Sequence, residues 1–302
     1  MTVAAAWKSQ ATPPTVSRLR GVHLLGRDAL AAQAPGAPRA LRNPVRLTLF
    51  GGIHLRVGDR EIALKNRKAL ALVAYLALTP GMKEARDRLT GLLWSESDEP
   101  RARASLRQLL HSLRDAFGRE GLTGLSADKL QVSLDPGAFT NELDGALASI
   151  DTGHPLDCLM NEVRVTETLL YGYDDVDPSF AYWLGVQRES VRQRLIRRLE
   201  AKLSVVTHPA VQMKGIAHAL FQVDPTHELA CQKLMRAYVE TGDIAGALVA
   251  YKRLWEHLEQ DHDVEPSLAT QELVVAIKRG TYRPSVDPWA HRDRVVGSNL
   301  VW

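Results

Sequence analysis

An arginine-rich helix, predicted from Glu99 to Phe117, constrains the fold of this chain more than any other segment. At about 100° per residue, its apolar side chains fall within one stripe that must face a core: Ala102, Leu106, Leu109, Leu110, Leu113 and Phe117. The opposite side carries polar and small residues, namely Arg101, Ala104, Gln108, His111 and Asp115. Three more arginines lie along one flank: Arg103, Arg107 and Arg114. The helix therefore packs against a core on one side and presents a cationic surface on the other.

Short strands, two helices and a hairpin surround this helix in the sequence. Alternating apolar residues separated by glycine predict three antiparallel strands: Val45 to Phe50, Ile53 to Val57 and Arg60 to Leu64. Helical spacing predicts one helix that ends at Thr79-Pro80-Gly81 and a second from about Glu84 to Trp94. After the arginine-rich helix, two apolar stretches predict a hairpin with Asp128 and Lys129 near its tip: Leu122 to Ser126 and Leu130 to Leu134.

Beyond Asn141 the pattern is helical throughout. One long helix has apolar residues at intervals near three, four and seven, which we interpret as a core stripe rather than a binding groove: Phe180, Trp183, Leu184, Val191, Leu195, Leu199 and Leu203.

A helical hairpin follows, from Glu228 to Thr241 and from Ile244 to Gln260. Its apolar spacing matches the tetratricopeptide repeat, although Cys231 and Met235 replace the Trp and Gly usual in that pattern. One more helix is predicted from Leu268 to Arg279.

Charge is unevenly distributed along the 302 residues. Residues 1–44 carry a net charge of +5, residues 45–140 carry +4, and residues 141–302 carry −6. A basic front and an acidic back favour a polyanionic partner for the first part and a different partner for the second.

Several classes of function find no support in the sequence. No apolar run reaches the length of a membrane span and no secretory signal is recognised, so we expect a cytoplasmic protein without a membrane partner. Phosphate-binding glycine loops, HExxH and GxSxG are absent, so we expect no catalytic residues and no enzyme. We expect no cofactor and no metal, and we interpret the cluster of His257, Asp261, His262 and Asp263 as a solvated polar turn.

The motifs and their order resemble SARP-type bacterial transcriptional activators. The first half is similar to their response-regulator-type winged helix through KNRKALALVAYLAL, EARDRLTGLLW and ARASLRQLLHSLRDAF. The second half is similar to their bacterial transcriptional activator domain through LLYGYDDVDPSFAYWLGVQRESVRQRL and the helical hairpin. The resemblance covers about Val45 to Arg279.

This resemblance implies a mainly α protein with a small α+β part, in which a winged helix-turn-helix domain precedes an all-α, tetratricopeptide-like domain. We expect a flexible arm at 1–44, a winged-helix DNA-binding domain at 45–140, an activator domain at 141–280 and a tail at 281–302. The implied function is sequence-specific DNA binding and transcriptional activation. Double-stranded DNA, RNA polymerase or its sigma factor, and a second copy of the chain are the expected partners.

Site residues follow from the outward face of the arginine-rich helix, because a helix of this width fits the major groove. We expect base contacts from Ala104, Gln108, His111, Arg107 and Arg101. We expect phosphate contacts from Arg103 and Arg114 and, by resemblance, from Arg86, Trp94 and Lys129, with Lys129 entering the minor groove.

Four alternatives stay open from the sequence alone. The arginine flank also suits a solvated helix edge, and Trp94 equally suits a core aromatic. The winged helix also suits a protein-interaction or regulatory module that does not bind DNA. Ala85 stands where such domains commonly have a capping Ser, so either Glu84 caps the second helix or the helix starts differently.

Overall fold

A computed structural model of the chain describes residues 44–204 and 210–283. The expected arm before residue 44 and all but the first three residues of the expected tail lie outside the described residues. The described residues belong to one compact unit. None of the helices in this part of the chain is long and apolar enough to cross a bilayer.

The front of the chain combines two small sheets with three helices. In chain order, the elements are β1 (Val45–Thr48), β2 (His54–Val57), β3 (Arg60–Glu61), α1 (Arg67–Leu78), β4 (Lys83–Ala85), α2 (Arg86–Leu93), α3 (Glu99–Arg119), β5 (Leu125–Ala127), β6 (Gln131–Leu134) and β7 (Phe139–Asn141). The first sheet has the order β3-β2-β1-β7, and the second has the order β4-β6-β5. We call β5, residues 128–130 and β6 the wing hairpin.

Helices make up the rest of the described chain, apart from turns and one isolated bridge between Phe50 and Leu169. They are α4 (Glu142–Asp151), α5 (Asp157–Asn161), α6 (Pro178–Leu203), α7 (Ala210–Val223), α8 (Glu228–Glu240), α9 (Ile244–His262) and α10 (Leu268–Lys278). The fold class is thus as predicted: mostly helical, with a small sheet part at the front.

Local sequence explains where α3 begins. The carboxylate of Asp98 accepts the backbone N–H of Arg101 at 2.9 Å, which satisfies one of the free donors of the first turn. Pro100 occupies the first turn, where its missing N–H costs no hydrogen bond. All six apolar residues of the predicted stripe are buried, so α3 packs against the core with the expected face.

Helix α2 begins later than the sequence predicts. Residues 83–85 pair antiparallel with β6, with Glu84 opposite Val132, so they form a strand instead of the first turn of a helix. The other strand that the sequence analysis missed is β7, which pairs in parallel with β1 through Val45 and Phe139. This second pairing closes the front sheet directly before α4 begins.

The front and back of the chain share a core at α6. Trp183 is half-buried, and its ring lies 4.8 Å from that of Tyr75 in α1 and 5.0 Å from that of Phe180. Asp177, the N-cap residue of α6, accepts hydrogen bonds from both the backbone N–H and the hydroxyl of Ser95, in the loop between α2 and α3. Helix α1 and the loop between α2 and α3 are therefore packed and hydrogen-bonded against the helical part.

In the α8–α9 hairpin, the two residues that depart from the tetratricopeptide pattern belong to the core. Cys231 and Met235 are both fully buried, and the Cys231 thiol lies 3.5 Å from the carbonyl oxygen of Ala250 in α9. Burial raises the pKa of this thiol to about 12, so it remains protonated and behaves as a core residue.

Candidate nucleic-acid interface

The outer face of α3 is open to solvent along its length. The five residues predicted to contact bases are all exposed: Arg101, Ala104, Arg107, Gln108 and His111. Near the end of the helix, the Nε2 atom of His111 lies 3.5 Å from a carboxylate oxygen of Asp115, one turn further on. Arg101 contacts its neighbour Asp98 at 3.3 Å.

The flank of α3 faces the wing hairpin. The guanidinium of Arg114 donates a hydrogen bond to the carbonyl oxygen of Ala127 at 2.9 Å and so joins α3 to the end of β5. Arg103 lies 3.3 Å from the carboxylate of Asp87 in α2 and also contacts Glu99. Two of the three flank arginines therefore also hold neighbouring elements together.

Arg86, the first residue of α2, fixes the tip of the wing hairpin. Its guanidinium donates to the carbonyl oxygen of Asp128 at 2.9 Å, and its backbone N–H donates to that of Leu130 at 2.9 Å. Lys129, between these two residues, is exposed. The sequence predicts phosphate contacts from both Arg86 and Lys129. In the structure, Arg86 holds the turn on which Lys129 lies.

The N-terminus of α2 has no side-chain cap. Ala85 occupies the capping position, and Glu84 accepts the N–H of Ala85 itself at 2.9 Å instead of an N–H within the helix. The other oxygen of Glu84 accepts the Tyr75 hydroxyl at 2.7 Å. The carbonyl oxygen of Leu130 satisfies the Arg86 N–H, so the wing hairpin supplies part of what a capping Ser provides.

A cleft of about 790 Å³ separates α3 from the wing hairpin. Its lining includes five cationic side chains, three leucines of which only Leu130 is exposed, and two carboxylates from α2 and the hairpin tip. These residues are Arg86, Arg103, Arg107, Arg114, Lys129, Leu106, Leu110, Leu130, Asp87 and Asp128. Four of the five residues predicted to contact phosphate thus line one cleft, together with Arg107.

Trp94, the fifth residue predicted to contact phosphate, does not line this cleft. It is half-buried at the end of α2, where it packs against the core, and the Lys68 ammonium lies 5.1 Å from the centre of its ring. The base-contacting candidates Ala104, Gln108 and His111 lie on the adjoining outer face of α3 and not in the cleft.

Leu130 is the residue of this surface that sequence reasoning did not single out. It lines the cleft at the hairpin tip, and 79% of it is exposed. A large apolar residue directly after the turn-forming Asp128 and Lys129 was the available signal, because hairpin tips usually carry Gly, Asn, Asp or Ser.

No three His, Cys, Asp or Glu side chains converge as a metal site within residues 44–204 and 210–283. In the polar cluster at the end of α9, the Asp261 carboxylate pairs with Arg164. Burial, together with the charge of Arg164, lowers the pKa of His257.

Comparison with protein families finds a match in the back of the chain. Residues 176–278 match the sequence profile of the bacterial transcriptional activator domain, BTAD. The matched segment starts immediately before α6 and ends at the last residue of α10. This family is one of transcriptional activators, which supports a role for the chain in transcriptional regulation and agrees with the predicted resemblance to SARP-type regulators.

A solved structure has a similar fold. It is Mycobacterium tuberculosis EmbR in complex with a low-affinity phosphopeptide, with a TM-score of 0.50 and 19% sequence identity over 80% of this chain and 67% of that chain. At this identity the likeness extends to the fold. No curated protein matches the chain.

Proposed function

We propose that this chain is a sequence-specific DNA-binding activator of transcription that contacts the major groove with α3. The observation that carries the proposal is the cationic cleft between α3 and the wing hairpin, which lies beside the exposed face of Ala104, Gln108 and His111. The cleft suits one sugar–phosphate strand, and the adjoining face suits base edges.

Base recognition is assigned to the outer face of α3. Gln108 has an amide that pairs with the N6 and N7 atoms of adenine, Ala104 presents a methyl group to a thymine methyl, and His111 donates or accepts according to its tautomer. Arg101 and Arg107 contact guanine or the phosphates beside it. Asp115 lies opposite His111 near the end of α3, so we place the last turns of the helix outside the groove.

Phosphate contact is assigned to the cleft, but its cations differ in how they are held. Within the described part of the chain, Arg107 and Lys129 make no ion pair, whereas Arg103 contacts Asp87 and Glu99. We therefore assign the largest share of the salt-dependent affinity to Arg107 and Lys129. Arg86 and Arg114 act mainly by holding the wing hairpin in place. Trp94 acts by packing against the core at the end of α2.

The helical part is assigned to protein contacts. Its net charge is negative, and its stacked helices form the type of surface that binds a peptide or another protomer. We propose that it contacts RNA polymerase or its sigma factor and a second copy of the chain, so that the protein occupies paired or directly repeated sites.

One observation favours a second candidate function, a protein-interaction module that does not bind DNA. Carboxylates of Asp87, Glu99 and Asp115 lie on and beside α3, where they weaken its attraction for phosphate. The same surface then suits an acidic protein segment. The exposed, unpaired Arg107 and Lys129 favour the DNA hypothesis, and the two hypotheses differ in what the chain selects from random DNA.

Selection from a pool of random duplexes by the purified chain tests the proposal. We expect one enriched motif, present once or as a repeat, whose affinity falls between about 50 mM and about 200 mM salt. Arg107→Ala should reduce the slope of log K against log salt by about 1. Arg197→Ala, which removes an exposed arginine from α6, is the matched control and should leave the slope unchanged.

Each other outcome has a defined meaning. Salt-dependent binding without enrichment contradicts sequence specificity and leaves a non-specific DNA binder. The absence of binding at the lower salt concentration contradicts the DNA hypothesis and favours the interaction module.

A further inference from the structure

The tip of the wing hairpin is a rigid turn that presents one cation and one apolar side chain. A carboxylate oxygen of Asp128 accepts the backbone N–H groups of Leu130 and Gln131 at 2.7 and 2.8 Å. The N–H of Asp128 in turn donates to the carbonyl oxygen of Gln131 at 3.1 Å. The same two N–H groups lower the pKa of Asp128, because they stabilise its ionised form.

Two further hydrogen bonds attach this turn to α2. Arg86 donates from its guanidinium to the carbonyl oxygen of Asp128 and from its backbone to that of Leu130. The backbone of the tip is therefore held from within and from outside, and little conformational freedom is left for a ligand to remove.

Leu130 gains no packing within the protein from this rigid position. It is the most exposed leucine in the described part of the chain, at 79%, and it lies at the mouth of the cationic cleft beside Lys129. A single exposed apolar residue is ordinary on a protein surface. Leu130 differs because it is held rigidly at a cleft lined by five cations. A polyanion that binds in this cleft therefore lies in contact with the Leu130 side chain.

The geometry of duplex DNA determines what Leu130 meets. Each sugar–phosphate strand has the major groove on one side and the minor groove on the other. If the cleft holds a strand and α3 lies in the major groove, the hairpin tip lies at the adjacent minor groove. Apolar side chains that enter a minor groove separate neighbouring base pairs and bend the duplex.

We infer that Leu130 is an apolar wedge, which inserts between two base pairs of the minor groove while Lys129 contacts the flanking phosphate. The inference rests on the proposed function and adds to it a second determinant of specificity. Pyrimidine–purine steps unstack most easily, so the preferred site contains a TA or CA/TG step about half a helical turn, roughly five base pairs, from the bases under α3.

Fluorescence of 2-aminopurine, which replaces in turn each adenine on either strand of the selected duplex, detects the wedge directly, since the base brightens when it is unstacked. Wild-type protein should raise the fluorescence at one step. Leu130→Ala should abolish that rise and weaken binding about tenfold, which equals about 1.4 kcal/mol. Leu130→Met should retain the rise because it keeps a long apolar side chain.

Two control variants separate the wedge from charge and from general surface effects. Lys129→Ala should keep the rise in fluorescence and reduce the salt slope by about 1. Leu268→Ala, which truncates a leucine that is 70% exposed on α10, should change neither quantity.

The inference is overturned if the wild type binds the selected duplex without brightening any position, or if Leu130→Ala brightens the same step as the wild type. Failure of the wild type to bind any duplex overturns the proposed function as well, so the two failures are distinguishable.

Discussion

Asp177 connects the front of the chain, which contains α3 and the wing hairpin, to the helical back, and its removal should destabilise the whole molecule. The residue is only 7% exposed. One carboxylate oxygen accepts the Ser95 hydroxyl at 2.6 Å and the N–H of Ser179 at 3.0 Å. The other accepts the N–H of Ser95 at 3.0 Å.

Asp177→Ala removes a helix cap and two hydrogen bonds to a charged group. Loss of the cap costs about 1 kcal/mol. The two donors of Ser95 then lose their acceptor, and because Ser95 is exposed to water each loss costs about 1 kcal/mol, the net contribution of an ordinary hydrogen bond. The free energy of unfolding should therefore fall by about 3 kcal/mol.

Urea unfolding, followed by tryptophan fluorescence, measures this loss. Asp175→Ala is the matched control, because it lies two residues away and bonds Arg67 of α1 at the surface, where 71% of its side chain is exposed. Its urea midpoint should stay close to that of the wild type, since exposed ion pairs contribute little. Equal midpoints for the two variants would refute the argument that burial of Asp177 determines the cost.

Three further predictions concern the hairpin, pH and the thiols. Arg114→Ala removes the hydrogen bond to the carbonyl oxygen of Ala127, so amide hydrogen exchange in residues 125–134 should accelerate severalfold, and unchanged exchange would contradict that role. Burial lowers the pKa of His218 in the folded protein, so the unfolded chain binds the proton more readily. The free energy of unfolding should therefore fall as the pH drops below about 6.5, and it should fall less in His218→Gln. Urea unfolding at several pH values measures both. Burial raises the pKa of Cys158 to about 11 and of Cys231 to about 12, so both should react with iodoacetamide far more slowly in the native protein than in urea, and equal rates would contradict the burial of the thiols.

Periodicity predicted the helices well because their apolar stripes are local in sequence. The six stripe residues of α3 are all buried, and the five residues placed on its outer face are exposed. Burial of Phe180 and Leu195 likewise follows from their spacing along α6. In these elements the hydrophobic pattern alone determines which side faces the core.

The strands that were missed have no such pattern. β4 has the sequence KEA and β7 has the sequence FTN. Segments of three residues show no period, and each becomes a strand only through pairing with a distant partner, such as Val45 opposite Phe139. Long-range pairing of this kind is not encoded in local composition.

The roles of the arginines also depended on distant contacts. The sequence assigns Arg107 to bases and Arg86 and Arg114 to phosphates, but it does not show which of them are bound within the protein. In the structure, Arg86 and Arg114 donate to carbonyl groups of the wing hairpin, whereas Arg107 makes no ion pair in the described chain. The contacts of Asp175 and Asp177 with the front of the chain are likewise set by the tertiary fold.

Discrimination by Gln108 tests the central claim most directly. The measurement is the ratio of affinities for the selected duplex and for a duplex in which the adenine assigned to Gln108 is replaced, with wild type, Gln108→Ala and the exposed control Gln260→Ala on α9. A bidentate contact is worth about 1–3 kcal/mol, so the ratio should fall roughly 5-fold to 150-fold in Gln108→Ala and stay unchanged in Gln260→Ala. An equal ratio in all three proteins at every adenine of the motif would contradict base recognition by this face of α3.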